Sequence, residues 1–147
     1  MDILIFKTPG AMQGWGRRLA RHLQKGDVVA LIGDLGSGKT TLAQGVAAGW
    51  GSSQRAISPT FGLVNEYRSR RGLLQHMDMY RLPEKELEGF PLEDYIGGKS
   101  VTLIEWADRI QSRWPEDTLQ IRFQAPSPGT RKIEVIFPTA WGRSKRI

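Results

Sequence analysis

The 147-residue chain contains no cysteine, which excludes disulfides, thiolate metal sites and a cysteine nucleophile. Its two histidines, His22 and His76, are far apart in sequence and offer no zinc-type ligand spacing. No apolar run approaches the span of a bilayer, and the N-terminus MDILIFKTPG lacks the basic segment and long apolar core of a secretion signal. The chain therefore reads as cytoplasmic, with no membrane partner. Internal repeats, low-complexity tracts and a convincing linker are absent too, so one domain over residues 1–147 is expected.

What is present is ordinary for a soluble globular protein: 39% hydrophobic and 24% charged residues, enough to bury a core without staples. The net charge of +6 suits a nucleic-acid partner, but the excess lies in the short patches RRLAR, YRSRR and GRSKRI. Charge alone reads no bases. Solvated faces and a floppy basic tail, 138–147, account for it equally well.

Thr8 and Pro9 form a helix N-cap and first-turn pair, after which Met12, Trp15, Leu19 and Leu23 recur at helical spacing up to Gly26. DVVALIGD is a continuous apolar run, as expected of a strand buried on both faces in a parallel sheet. A second helix should follow, with Leu42, Val46 and Trp50 on one face and Gly49 and Gly51 ready to end it. VNEYRS and GLLQHMDMYR read as strands that pair across RSRRG, and LPEKELEGFPLEDYIGG as one or two short helices. SVTLIEW is a second buried strand, finishing at Glu105, and ADRIQSRW a brief helix. TLQIRFQA and TRKIEVIF, on either side of PSPG, predict a β-hairpin at the C-terminal end.

The chemistry lies between the first buried strand and the second helix. Gly33, Asp34, Leu35, Gly36, Ser37, Gly38, Lys39, Thr40 and Thr41 satisfy G-x-x-x-x-G-K-[ST] in the strand–loop–helix context that gives the pattern its meaning. Glycines allow a tight turn whose N–H groups point inward at phosphate oxygens, and the helix N-terminus adds its positive end. Lys39 is placed to bridge the β- and γ-phosphates, and the Thr40 hydroxyl to ligate magnesium. A carboxylate from a neighbouring strand end is needed to hold that ion. Glu105 is the first candidate and Asp78 the second, both within reach if their strands flank the P-loop strand.

Thr60, in SPTF, occupies the kind of loop that a γ-phosphate orders and hydrolysis releases. An ordinary Ser-Pro turn is the alternative. His76 and Tyr80 share the strand end with Asp78, where a packed histidine is favoured over a base. The guanine-reading N-K-x-D motif is missing and GSGKTT is not a dinucleotide fingerprint, so ATP is the preferred nucleotide.

Taken together and in order, GDLGSGKTT, SPTF, HMDMYRL and LIEWADRI resemble the bacterial TsaE (YjeE-like) proteins, small P-loop ATPases required for making threonylcarbamoyladenosine in tRNA. The likeness runs from about Thr8 to about Phe137. It implies an α/β fold, a P-loop NTPase core whose central, mostly parallel sheet carries flanking helices. It also implies ATP and Mg2+ as cofactors, with Lys39, Asp78 and Glu105 as catalytic groups and Thr40, Glu105 and Asp78 around the metal. Thr60 would belong to the mobile switch and Trp106 would sit beside Glu105. Thr8 or Pro9, with Thr130 or Arg131, would complete the adenine side. The implied partners are the TsaD and TsaB proteins, with tRNA reached through their complex. HMDMYR carries methionines where leucine or phenylalanine is usual, and LEGFPLEDYIGG has an unusual proline that puts its local helix geometry in question. A small-molecule kinase with a P-loop and a basic tRNA-binding module are the competing readings.

Overall fold

A computed structural model describes residues 1–56 and 63–147. Thr60, with the SPTF segment proposed as a switch, lies outside the described residues. The order of elements is β1 (Asp2–Phe6), α1 (Pro9–His22), β2 (Val28–Ile32), α2 (Lys39–Trp50), β3 (Val64–Ser69), β4 (Gly72–Asp78), α3 (Glu84–Leu87), β5 (Ser100–Glu105), β6 (Leu119–Ser127) and β7 (Thr130–Ile136). Short 3-10 segments follow α3 at Leu92–Asp94 and β5 at Ala107–Arg113.

The strands form one seven-stranded sheet in the order β1-β7-β6-β2-β5-β4-β3. The contiguous strands β6, β2, β5 and β4 are mutually parallel, and antiparallel pairings join β7 to β6, β1 to β7 and β3 to β4. Every residue of β5 is buried, and β2 is buried except at Ile32. Strands covered on both faces gain hydrophobic stabilisation at every apolar position, which is why VVALI reads as a run; in β5 the buried Ser100 and Thr102 hydroxyls donate to Gln75 Oε1 at 3.2 and 3.3 Å.

Two apolar layers sandwich the sheet. Met12, Trp15 and Leu19 of α1 and Leu42, Val46 and Trp50 of α2 pack with Leu31, Leu103 and Ile121 on one face. On the other, Phe90, Leu92, Ala107 and Ile110 cover Val28, Ala30, Met77 and Ile104. The first helix begins as its sequence indicates: Thr8 Oγ1 accepts the Ala11 N–H at 3.1 Å and Pro9 opens the first turn. Gly51, at φ 98°, ends α2 and donates its N–H to Ala48 O. Gly49, expected to help end that helix, instead lies within it. A Cβ on Gly49 would stand 2.5 Å from Arg17 O, and one on Gly45 2.2 Å from Gln13 O. The glycines let α1 and α2 touch backbone to backbone.

Two further differences have clear causes. MDILIF, to which no strand is assigned from sequence, supplies β1. Ile3 and Ile5 on this edge strand are exposed while Phe6 is buried, so apolar residues occupy both faces and hide the alternation. The C-terminal hairpin forms, but β6 continues past Pro126, with a register irregularity between Gln124 and Ser127, and turns at Pro128-Gly129. The basic tail is not a loose appendage. Trp141 packs on Phe137 at 5.3 Å, and Arg143 stacks on Trp141, donates to His22 O at 2.9 Å and clasps Asp27 at 2.5 and 3.1 Å. Among the described residues, no helix is long and apolar enough to cross a membrane.

Candidate nucleotide site

At the end of β2 the chain turns through the glycine loop directly into α2. Gly36 and Gly38 adopt φ of 74° and 111°, a region that L side chains avoid, and these turns aim the loop at the helix N-terminus. Lys39 is 4% exposed, and its ammonium group lies inside the loop, donating to Gly33 O, to Asp34 O at 2.7 Å and, more distantly, to Ser37 Oγ at 3.4 Å. Burial pulls the Lys39 ammonium below the usual lysine range, opposed by the charges of Glu105, Asp78 and Asp34.

The next residue joins the loop to a neighbouring strand. Thr40 Oγ1 lies 3.2 Å from Glu105 Oε1 and 3.4 Å from Oε2, and Glu105 ends β5, the strand beside β2. Asp78 ends β4, which does not flank β2 as supposed: β5 stands between them. Asp78 still reaches the same end of the sheet, because it is the register partner of Glu105. Burial raises the Asp78 carboxyl above its ordinary range, the Tyr80 N–H bond at 2.9 Å opposes this, and the Glu105 charge adds to the rise.

His76 belongs to this cluster, a role beyond the packed histidine expected. It is fully buried, with Nε2 2.5 Å from Glu105 Oε2. The signal was available: residues two apart on a strand share a face, so His76 sits on the same side of β4 as Asp78.

These groups open into a cleft of about 570 Å³. Its walls come from Phe6 through Pro9 with Met12, from Leu35, Gly36 and Gly38 through Thr41, from Asp78, Tyr80 and Arg81, from Glu105 and Trp106, and from Gly129 and Arg131. Thr8, Pro9 and Arg131, expected on the adenine side, line it. Thr130 does not: it is buried, its hydroxyl is 3.3 Å from Lys7 Nζ, and Gly129 lines the wall in its place. Gly33, Asp34 and Ser37 shape the loop behind the lining. Arg131 Nε donates to Gly36 O at 3.1 Å, tying the hairpin to the loop. Phe6 and Lys7 belong to no motif; Arg81 lies within HMDMYRL and Met12 on the apolar face of α1, but nothing in the sequence assigned either of them a place in the cleft wall.

Trp106 follows Glu105 at φ 56°, the only non-glycine at positive φ among the described residues. Such a residue stores on the order of 1–3 kcal/mol of strain. It places the indole 4.7 Å from the Tyr80 ring, with Lys39 Nζ 4.6 Å from its centre. Arg109 braces the chain beyond Asp78 by donating to Met79 O, Tyr80 O and Leu82 O at 2.5, 3.0 and 2.7 Å.

A buried parallel strand, a G-x-x-x-x-G-K-T turn, a helix and carboxylates at adjacent strand ends define a P-loop protein of the nucleotide-binding class. Residues 6–133 match the family described as threonylcarbamoyl adenosine biosynthesis protein TsaE. The chain belongs to that family.

Its relatives include proteins named tRNA threonylcarbamoyladenosine biosynthesis protein TsaE. The Bacillus subtilis protein is 41% identical over 126 residues, 86% of this chain and 79% of the relative. The Haemophilus influenzae protein is 36% identical over 140 residues, 91% and 88% respectively. The Synechocystis protein is 42% identical over 104 residues, 68% of this chain and 66% of the relative's length. Among solved structures, Bacillus subtilis YdiB superposes with a TM-score of 0.75 at 30% identity, covering 93% of this chain and 85% of that one.

Proposed function

We propose that this protein binds ATP with Mg2+ in the P-loop cleft, hydrolyses it slowly on its own, and uses the cycle to regulate the TsaB–TsaD complex that modifies tRNA. The observation that carries the reading is the convergence of Lys39, Thr40, Asp78 and Glu105 on one cleft whose floor is the glycine loop.

The donor set fits magnesium. Around Thr40 it consists of a hydroxyl and two carboxylates, all oxygen, and Mg2+ favours one or two carboxylates together with waters and substrate phosphates. Thr40 and Glu105 would hold the ion, with Asp78 in its water shell; bound there, the ion would neutralise charge on the β- and γ-phosphates. The loop N–H groups and Lys39 would cradle the phosphates, the ammonium exchanging its carbonyl partners Gly33 O and Asp34 O for phosphate oxygens. Asp78, held less acidic by burial, would orient the attacking water, with Glu105 the other candidate. Thr8, Pro9 and Arg131 would bound the base.

The family's place in tRNA threonylcarbamoyladenosine biosynthesis supports a regulatory use of this cycle. ATP would bias a switch that includes Thr60, and so the grip on TsaD, in a cytoplasmic complex that itself carries the tRNA. The test is ATP turnover of the purified protein alone, with TsaB and TsaD, and with tRNA, using Lys39→Ala and Glu105→Ala as controls. Turnover that rises with the partners and vanishes in both variants is expected. Turnover indifferent to the partners, or phosphate transfer to a small hydroxyl substrate, would overturn the reading.

A further inference from the structure

We infer that His76 is a positioning residue for Glu105: its imidazole, locked inside the sheet, fixes which carboxylate oxygen Glu105 presents toward Thr40. The inference rests on the reading of the cleft as a Mg·ATP site.

Glu105 is 3% exposed and His76 fully buried, so neither group is held by bulk water. An ionised carboxylate in such a place needs hydrogen-bond donors. Nε2 of His76 lies 2.5 Å from Oε2, and toward Glu105 in the ionised form that a Mg2+ ligand requires, the ring nitrogen is the donor. That bond leaves Oε1 as the oxygen nearer the Thr40 hydroxyl, at 3.2 Å against 3.4 Å for Oε2.

The other ring nitrogen is the informative one. Among the described residues Nδ1 has no hydrogen-bond partner, although it is buried. Leaving a buried acceptor unpaired is unfavourable, and a leucine would fill this place in the sheet without that penalty. A ring satisfied only on its Glu105 side is accounted for by what it does to Glu105. The backbone holds the pair in register: His76 stands opposite Leu103 on β5, two residues before Glu105, and Tyr67 of β3 packs its ring 6.4 Å away. Partners of ligating carboxylates typically change metal affinity or activity by about 10- to 100-fold when lost.

The experiment uses the full chain and a fluorescent ATP analogue, titrated with and without Mg2+, in wild type, His76→Gln and His76→Asn. Gln carries its amide nitrogen near the place of Nε2, while Asn carries it near Nδ1 and falls short of Glu105. The two polar replacements are chosen so that folding is retained, and a thermal melt monitors it. His76→Gln is expected to keep the Mg2+-dependent gain in affinity within about 3-fold of wild type. His76→Asn is expected to lose about 10- to 100-fold of that gain while Mg2+-free affinity is unchanged. In turnover, kcat should fall in His76→Asn and recover in His76→Gln, with KM for ATP little altered. Equal behaviour of the two variants, whether both intact or both impaired, overturns the assignment. A wild type that binds no nucleotide would instead remove the Mg·ATP reading on which it rests.

Discussion

Asp78 and Glu105 stand opposite one another at the ends of adjacent parallel strands, and the Lys39 ammonium lies in the field of both. Two carboxylates gathered beside one buried cation make a site poised for a polyvalent guest, and the poise has consequences for stability as well as for binding.

The first concerns Asp78. Its folded pKa is raised, chiefly by burial, so the carboxyl contributes stability below its unfolded pKa, and that contribution is lost as pH rises through the folded value. Asp78→Asn keeps an oxygen for the Tyr80 N–H. The variant is expected to melt above wild type at pH 7, with the gap closing as pH falls through the folded value and gone below about 4, while ATP turnover drops about 100-fold or more. A gap that widens toward acid, followed by scanning calorimetry, would contradict the burial argument.

Thr40 isolates the hydroxyl. Thr40→Val preserves shape and removes the group that meets Glu105 at 3.2 Å. It should weaken Mg2+-supported turnover by about 10- to 100-fold, whereas Thr40→Ser should stay close to wild type. A Mg2+ titration of initial rates distinguishes the two; equal losses would place the metal elsewhere.

Packing of the helical layer makes a separate demand. A Cβ on Gly45 would meet Gln13 O at 2.2 Å, so Gly45→Ala should destabilise by about 1–3 kcal/mol through overpacking. Nothing lies within 4 Å of a Cβ on Gly10, also helical, and Gly10→Ala should gain up to about 1 kcal/mol. Urea denaturation of both proteins reads the sign directly.

The tail gives the fourth test. Arg143 and Asp27 are both mostly buried, at 23% and 16% side-chain exposure, and share two hydrogen bonds. Arg143→Ala is expected to lower stability by about 1.5 kcal/mol with ATP affinity unchanged, since the clasp lies away from the cleft lining. An unaltered urea midpoint would mean that the tail contributes nothing to the fold.

Much of this was legible beforehand because the signals were local. Thr8-Pro9 caps a helix by chemistry contained within four residues, and VVALI declares burial on both faces by lacking any polar alternation. Lys39 and Thr40 follow from the loop pattern, and Glu105 from its place at the end of a buried run. What stayed hidden depends on partners distant in sequence. Gly49 resembles a helix terminator until α1 lies against it, and DILIF is a strand only because β7 offers it an edge. Thr130 and Gly129 are neighbours whose difference is set by Lys7, 123 positions from Thr130. His76 lay between these cases: its face of β4 could be read from spacing, but its contact with Glu105 required knowing that β4 and β5 are adjacent.

The cleft is walled by residues 6–12 at one end of the chain and by 129 and 131 near the other, with Arg131 tied to the glycine loop. During synthesis the helix that carries Lys39 emerges long before the last wall of the cleft, Gly129 and Arg131. The finished cleft is therefore a late event in the life of each molecule, and capture of a guest that needs every wall reports that β6 and β7 have taken their places in the sheet.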